Sequence, residues 1–169
     1  MNRINELNQY DFGIIGLMTN TKYPLSQQEF DVIYAKVPRL TLDIIVKNKD
    51  GKIYLTKRSN KVPCEGMWHL PGGTVFYGES LEQAIKRITR KELSIEVQSY
   101  INVGYIEYPS HYLNGLGTPV ALVFEIIGYT GTPKIDEEAV AGDWFNSLPE
   151  DFHPDQDIFL IEKSYLKAS

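Results

Sequence analysis

The chain has 169 residues, with 43% hydrophobic and 23% charged residues and a formal net charge of −5. That length suits one domain with its own core, and the acidic balance without a basic tract argues against nonspecific nucleic-acid or anionic-membrane binding. A lone Cys64 excludes an internal disulfide framework, and the polar start and short apolar runs give neither a signal peptide nor a membrane span, so a cytoplasmic protein is expected.

In chain order, residues 1–24 read as an N-terminal extension, with Phe12 to Met18 apolar enough for an extra strand. Ser26 and Glu29 form a capping box that opens a helix, and Pro38 closes it. Residues 40–47 alternate as a strand, Asn48 to Gly51 turn, and Ile53 to Lys57 return, which predicts a hairpin. Pro71-Gly72-Gly73 reads as a turn whose glycines tolerate positive φ and close approach of a ligand. Ser80 and Gln83 cap a second helix. Strands are expected near 97–108 and 119–129, a loop from Pro109 to Gly117, and a last helix after Pro154.

The second helix carries the chemical signal. Leu81, Ala84, Ile85 and Ile88 form one buried stripe, and Glu92 lies four residues further along it. A carboxylate at the end of an apolar face and in the last helical turn is poorly placed for stability, by about 0.3 to 1 kcal/mol from the helix dipole alone. A bound cation compensates; taken alone, Glu92 also reads as a solvated side chain in a frayed turn. Glu79 and Arg87 stand eight residues apart and meet only if the chain before Ser80 folds back over the helix. Asp136-Glu137-Glu138 reads either as a solvated acidic turn or as a source of a base beside metal-bound water.

These residues resemble the box of the Nudix hydrolases, which runs G-x5-E-x7-R-E-U-x-E-E-x-G-U with U aliphatic. Gly73, Glu79, Arg87, Glu92 and Ile95 match, whereas Ile88, Thr89, Lys91 and Ser94 depart from it. The chain is most similar to the GDP-mannose mannosyl hydrolases, from about Leu25 to the C-terminal helix, including residues 40–46 and Lys57-Arg58-Ser59-Asn60. The resemblance implies an α/β (α+β) fold, a Nudix-type α/β/α sandwich with a mixed central sheet, in a single domain over 25–169. It implies a Mg2+-dependent hydrolase (Mn2+ also possible) acting on a small nucleoside diphosphate linked to a sugar, with a homodimer possible by analogy.

Residue by residue, the resemblance places the metal on Gly72, Glu92 and Glu138. Asp43 falls near the sugar and His111 beside the sugar pocket, and Glu137 or Glu138 is the candidate base; apart from the resemblance, the fork of Arg58 suits a diphosphate, and Lys91 reads either as part of a solvated helix face or as the counter-charge that replaces a lost metal ion there. Ala139 stands where the subfamily has its basic histidine, and Thr74 where it has an arginine. Tyr108 or Tyr112 is the candidate to stack on the base. Glu79 and Arg87 read as a structural ion pair, His153 as a helix cap or core neighbour, His69 as structural and Trp68 as core.

Overall fold

The computed structural model describes residues 25–168, so the N-terminal extension and its expected strand lie outside the described residues. The elements run α1 (Gln27–Tyr34), β1 (Arg39–Val46), β2 (Ile53–Arg58), β3 (Trp68–His69), β4 (Gly72–Thr74), α2 (Leu81–Leu93), β5 (Glu96–Glu107), α3 (Pro109–Leu113), β6 (Pro119–Thr130), β7 (Ala139–Phe145) and α4 (Pro154–Glu162).

Two sheets form. The larger has the order β4-β1-β6-β5, and the smaller β3-β2-β7. In the larger sheet β1 runs parallel to β6 and antiparallel to β4, while β5 is antiparallel to β6. This is the expected mixed sheet.

β1 shows why helices must lie on both sides. Residues 41–46 are all buried rather than alternating, the mark of a strand covered on two faces. Leu42, Ile44 and Val46 pack with Ala84, Ile85 and Ile88 of α2. Ile45, from the opposite face, packs with Leu160 of α4 and with Leu55 and Leu70. The result is an α/β/α sandwich with one apolar core under α2 and another under α4.

The expected β1–β2 hairpin is not a paired ladder. Both edges of β1 are occupied by β4 and β6, so β2 has no free edge to join. A single bridge, Lys47 to Ile53, marks the point where the chain passes into the smaller sheet. There β2 pairs with β3 and β7.

Three local readings also change. Gly72 and Gly73 lie in β4, not in a turn, and neither has a positive φ. The stretch after Pro109 begins with the short helix α3, with proline in its first turn. The strand β7 was not anticipated, because Ala139, Ala141 and Gly142 give it little strand propensity. Its glycine is required by packing: a Cβ there would stand 2.2 Å from the Tyr54 hydroxyl.

Both capping boxes form as expected. Ser26 and Ser80 each accept from the backbone three residues on, and Glu29 and Gln83 bond back. α2 ends with Ser94 in the left-handed region at φ 54°. The resembled box has glycine at that position, for the steric reason that such a cap needs no Cβ.

Candidate active and metal site

A cavity of about 380 Å³ opens between α2, the β1 and β4 strands and α4, lined among others by Asp43, Arg58, Gly72, Lys91, Glu92 and Glu138. A smaller pocket joins Gly72, Glu92, Asp136 and Glu138. The structure thus brings Gly72, Glu92 and Glu138 together.

Glu92 is the centre of this group. The Gly72 amide donates to its carboxylate at 3.0 Å, which ties the end of α2 to β4. Burial pushes its carboxyl up to about 8, and the nearby Asp136 and Glu138 carboxylates push the same way, against the Gly72 bond and Lys91. Such a group is held ionised only by added positive charge.

Asp136 was not singled out as a ligand, since its neighbours Glu137 and Glu138 carried the same signal. Its Oδ1 accepts from the Glu138 amide at 2.9 Å, while its buried Oδ2 has no hydrogen-bond partner. An orphaned carboxylate oxygen beside a raised carboxyl is the donor set of a hard cation. The residues therefore fit a divalent metal with oxygen ligands: Glu92, Asp136, Glu138 and the backbone of Gly72. Lys91 holds Glu138 at 2.7 Å and supplies one positive charge at the rim.

Gly72 is dictated by close approach. A Cβ there would stand 2.3 Å from the Leu42 carbonyl and 2.7 Å from Asp43 Oδ1. Gly73 leaves room for Ile88, whose Cγ1 would be 3.3 Å from an added Cβ. Ile88 is accordingly part of the core under α2, not of the cavity.

The other wall of the cavity is a buried polar cluster. The Tyr108 hydroxyl donates to the Asp43 carboxylate, and Gln156 Nε2 donates to Asp43 Oδ2 at 3.2 Å and to the Tyr108 oxygen at 2.7 Å. The Leu70 amide fixes Gln156 by donating to its Oε1 at 2.9 Å. Burial raises the Asp43 carboxyl to about 6, opposed by the bonds from Tyr108 and Gln156 and by the charge of Arg58. Asp43 is thus no edge carboxylate but a buried acid facing the cavity. Gln156, on α4, gave no signal in the sequence, because a lone polar residue on a terminal helix reads as surface.

Other expected residues are placed as follows. Arg58 lines the cavity, and its Nε donates to the Pro63 carbonyl at 2.5 Å. Tyr108 is largely buried, lines the cavity and gives its hydroxyl to the Asp43 cluster. Tyr112 is 69% exposed and does not line the cavity. Glu137 also lies outside it, paired with Lys61 at 3.0 Å. His111 sits on α3 and lines the cavity with His153, whose Nδ1 accepts from the Asp155 amide at 3.3 Å as the N-cap of α4.

Glu79 and Arg87 meet because the segment after β4 does fold back over α2. Arg87 donates from Nε and Nη2 to Glu79 at 2.7 and 2.8 Å, and from Nη2 to the Thr74 carbonyl at 2.8 Å. Glu79 in turn accepts from the Phe76 amide at 3.0 Å. The pair locks the loop to the helix, and neither residue is held for chemistry by these contacts.

A family model described as NUDIX domain matches residues 37–160. The chain belongs to the Nudix hydrolase family. Among Nudix and related proteins, the low-salt glycan biosynthesis protein Agl8 of Haloferax volcanii is 28% identical over 134 residues, covering 77% of this chain and 85% of Agl8. An ADP-ribose pyrophosphatase of Methanocaldococcus jannaschii is 31% identical over 115 residues, 67% of this chain and 66% of that protein. The crystal structure of a MutT Nudix hydrolase from Burkholderia pseudomallei superposes with a TM-score of 0.67 at 28% identity, covering 75% of this chain and 98% of that one.

Against the Nudix box, three of the four departures in this chain have a local cause. Ile88 fills core space beside Gly73, and Thr89 is fully buried with its hydroxyl returned to the Ile85 carbonyl at 2.8 Å. Lys91 pairs with Glu138. Acids lost from the helix are matched by Asp136 and Glu138, which arrive from the segment before β7.

Proposed function

We propose that this Nudix domain hydrolyses a nucleoside diphosphate linked to a sugar, with GDP-mannose as the first substrate to test. The observation that carries the reading is Glu92, a buried carboxylate held by the Gly72 amide with Asp136 and Glu138 beside it. Mg2+, or Mn2+ in its place, is the cofactor this oxygen donor set suits. Bound there, the ion would neutralise diphosphate charge and lower the cost of charge developing on the leaving group.

The chain's own residues do the rest. Arg58 and Lys91 add positive charge along the cavity wall, where a diphosphate is accommodated. Asp43, a buried acid that lines the cavity with its carboxyl near 6, is the group we assign to proton exchange, and Tyr108 and Gln156 fix its orientation. Glu138 is the second group able to accept a proton from water. The glycan-biosynthesis relative and the ADP-ribose pyrophosphatase both support a sugar-linked nucleotide.

Two bonds are open to attack. Cleavage at the anomeric carbon yields a nucleoside diphosphate and free sugar, whereas cleavage at phosphorus yields a nucleoside monophosphate and a sugar phosphate. Ala139, in place of a basic histidine, and the pyrophosphatase relative favour the second. A panel of nucleotide sugars with Mg2+, products resolved by chromatography, separates the two. Saturable binding with no product over hours would overturn hydrolysis and leave a nucleotide-binding domain.

A further inference from the structure

Besides the acids around Glu92, the cavity lining includes His111 and His153, which with Cys64 form a cluster of soft ligand atoms that takes no step in the proposed hydrolysis. Cys64 Sγ lies 3.8 Å from His111 Nε2 and 3.8 Å from His153 Nε2, and the two nitrogens lie 3.1 Å apart. Among the described residues, this is a group of three whose ligand atoms all fall within 4.8 Å of one another. We propose that Cys64, His111 and His153 form a second metal site, selective for a borderline-soft divalent ion, with Zn2+ as its natural occupant.

The geometry is close to what coordination needs. A tetrahedral Zn2+ with bonds of about 2.0–2.1 Å to nitrogen and about 2.3 Å to sulfur sets nitrogens about 3.3 Å apart and sulfur about 3.6 Å from each. The three observed separations differ from these by a few tenths of an ångström. A point equidistant from the three atoms lies about 2.1 Å from each, so small side-chain shifts bring all three to bonding distance.

Three independent segments converge: the loop after β2, the helix α3 and the cap of α4. Cys64 is held there in the left-handed region at φ 62°, a conformation a non-glycine residue adopts at a cost, and one found where a side chain is aimed for a purpose. His111 Nδ1 is buried without a hydrogen-bond partner, so hydrogen bonding alone does not account for the ring's placement.

The proton balance is simple. Without metal, the Asp155 amide donates to His153 Nδ1, so Nε2 carries the His153 proton and donates it to His111. On binding, Cys64 releases its thiol proton to solvent and the His153 proton moves from Nε2 to Nδ1. The 3.3 Å contact with the Asp155 amide is given up, and three bonds to the ion replace it. Three protein ligands leave the fourth position to water or to a group of the substrate.

The test uses the full chain, stripped with chelator and titrated with Co2+ as a spectroscopic stand-in for Zn2+. One equivalent is expected to give a thiolate-to-cobalt charge-transfer band that Zn2+ erases. An ion at Glu92 meets only oxygen ligands and gives no such band, so the two sites are read separately. The band should vanish in Cys64→Ser, and Zn2+ should raise the melting temperature of the parent by more than that of this variant, the difference being the share of the second site. His111→Asn, which keeps the thiol, should bind Co2+ at least tenfold more weakly. A parent chain with no band at saturating Co2+, a band that survives Cys64→Ser, or an unchanged affinity in His111→Asn each overturns the site.

Discussion

A carboxylate placed on the middle strand of a covered sheet is stable only while it keeps its proton or finds charge to balance it. Asp43 pairs across from Gly72 in the β1–β4 register and is 6% exposed. Its carboxyl stands near 6, against 3.8 for an ordinary aspartate. Between those values the folded chain binds more protons than the unfolded one, so this residue makes stability fall as pH rises from about 4 to 6. Asp43→Asn keeps an acceptor for Tyr108 and Gln156 and never ionises. It should be more stable than the parent at pH 7.5 by on the order of 3 kcal/mol, with the gain gone at pH 4. Denaturant unfolding at both pH values measures this, and an equal gain at both would contradict the burial argument. Turnover of the nucleotide sugar should fall in the same variant if Asp43 exchanges the proton.

Ser94 poses a smaller question of the same kind. It caps α2 in the left-handed region, where the family box has glycine. Ser94→Gly removes the Cβ penalty and should raise stability by about 0.5–1 kcal/mol in thermal melts. A loss would mean that the serine side chain makes a compensating contact.

At the scale of elements, the second helix was the most legible part of the chain. Its caps, its apolar stripe and the anomalous Glu92 can all be read from spacing, because helix periodicity brings residues three and four apart onto one face. The partners that give Glu92 its meaning come from distant segments. Asp136 sits before β7, and that strand's small residues hid it; Gln156 reaches the cavity from α4. Sheet assignment failed for a related reason. The alternation expected over residues 40–47 is absent because β1 is buried on both faces, and the edges open to β2 depend on β6 and β7, which lie more than 60 residues further along the chain. The Glu79–Arg87 clamp lies between these cases, its members visible and its fold-back inferred.

That clamp makes its own prediction. Both side chains are largely buried, and the guanidinium serves Glu79 and the Thr74 carbonyl together. A lysine has no fork to do this. Arg87→Lys should lose about 3 kcal/mol, the lower end for breaking a buried pair, and should lower turnover by loosening the loop that leads from β4 into α2. Unfolding curves measure the first, and a loss below about 0.5 kcal/mol would place the pair with surface bridges instead.

Taken as a whole, the molecule joins its two sheets at the proposed cation site. Glu92 ends α2, Gly72 belongs to the larger sheet, and Asp136 and Glu138 precede β7 of the smaller one. An ion shared among them adds a crosslink to the packing, the Gly72–Glu92 hydrogen bond and the Lys91–Glu138 ion pair that already join these parts of the fold. It also removes the cost of a carboxyl held near 8. Mg2+ at one hundred times its dissociation constant should therefore stabilise the chain by about 2.7 kcal/mol, since the unfolded chain has no such site. For a domain of this size that is a rise of roughly 5–10 °C in melting temperature. Mg2+ is the right probe because thiolate and imidazole ligands do not favour it, so Cys64, His111 and His153 contribute nothing to the shift. Glu92→Gln should abolish the rise while leaving the metal-free chain as stable as the parent or more so, because an amide carries no buried charge. An equal Mg2+-dependent rise in the variant would place the ion elsewhere and remove the observation on which hydrolysis is proposed.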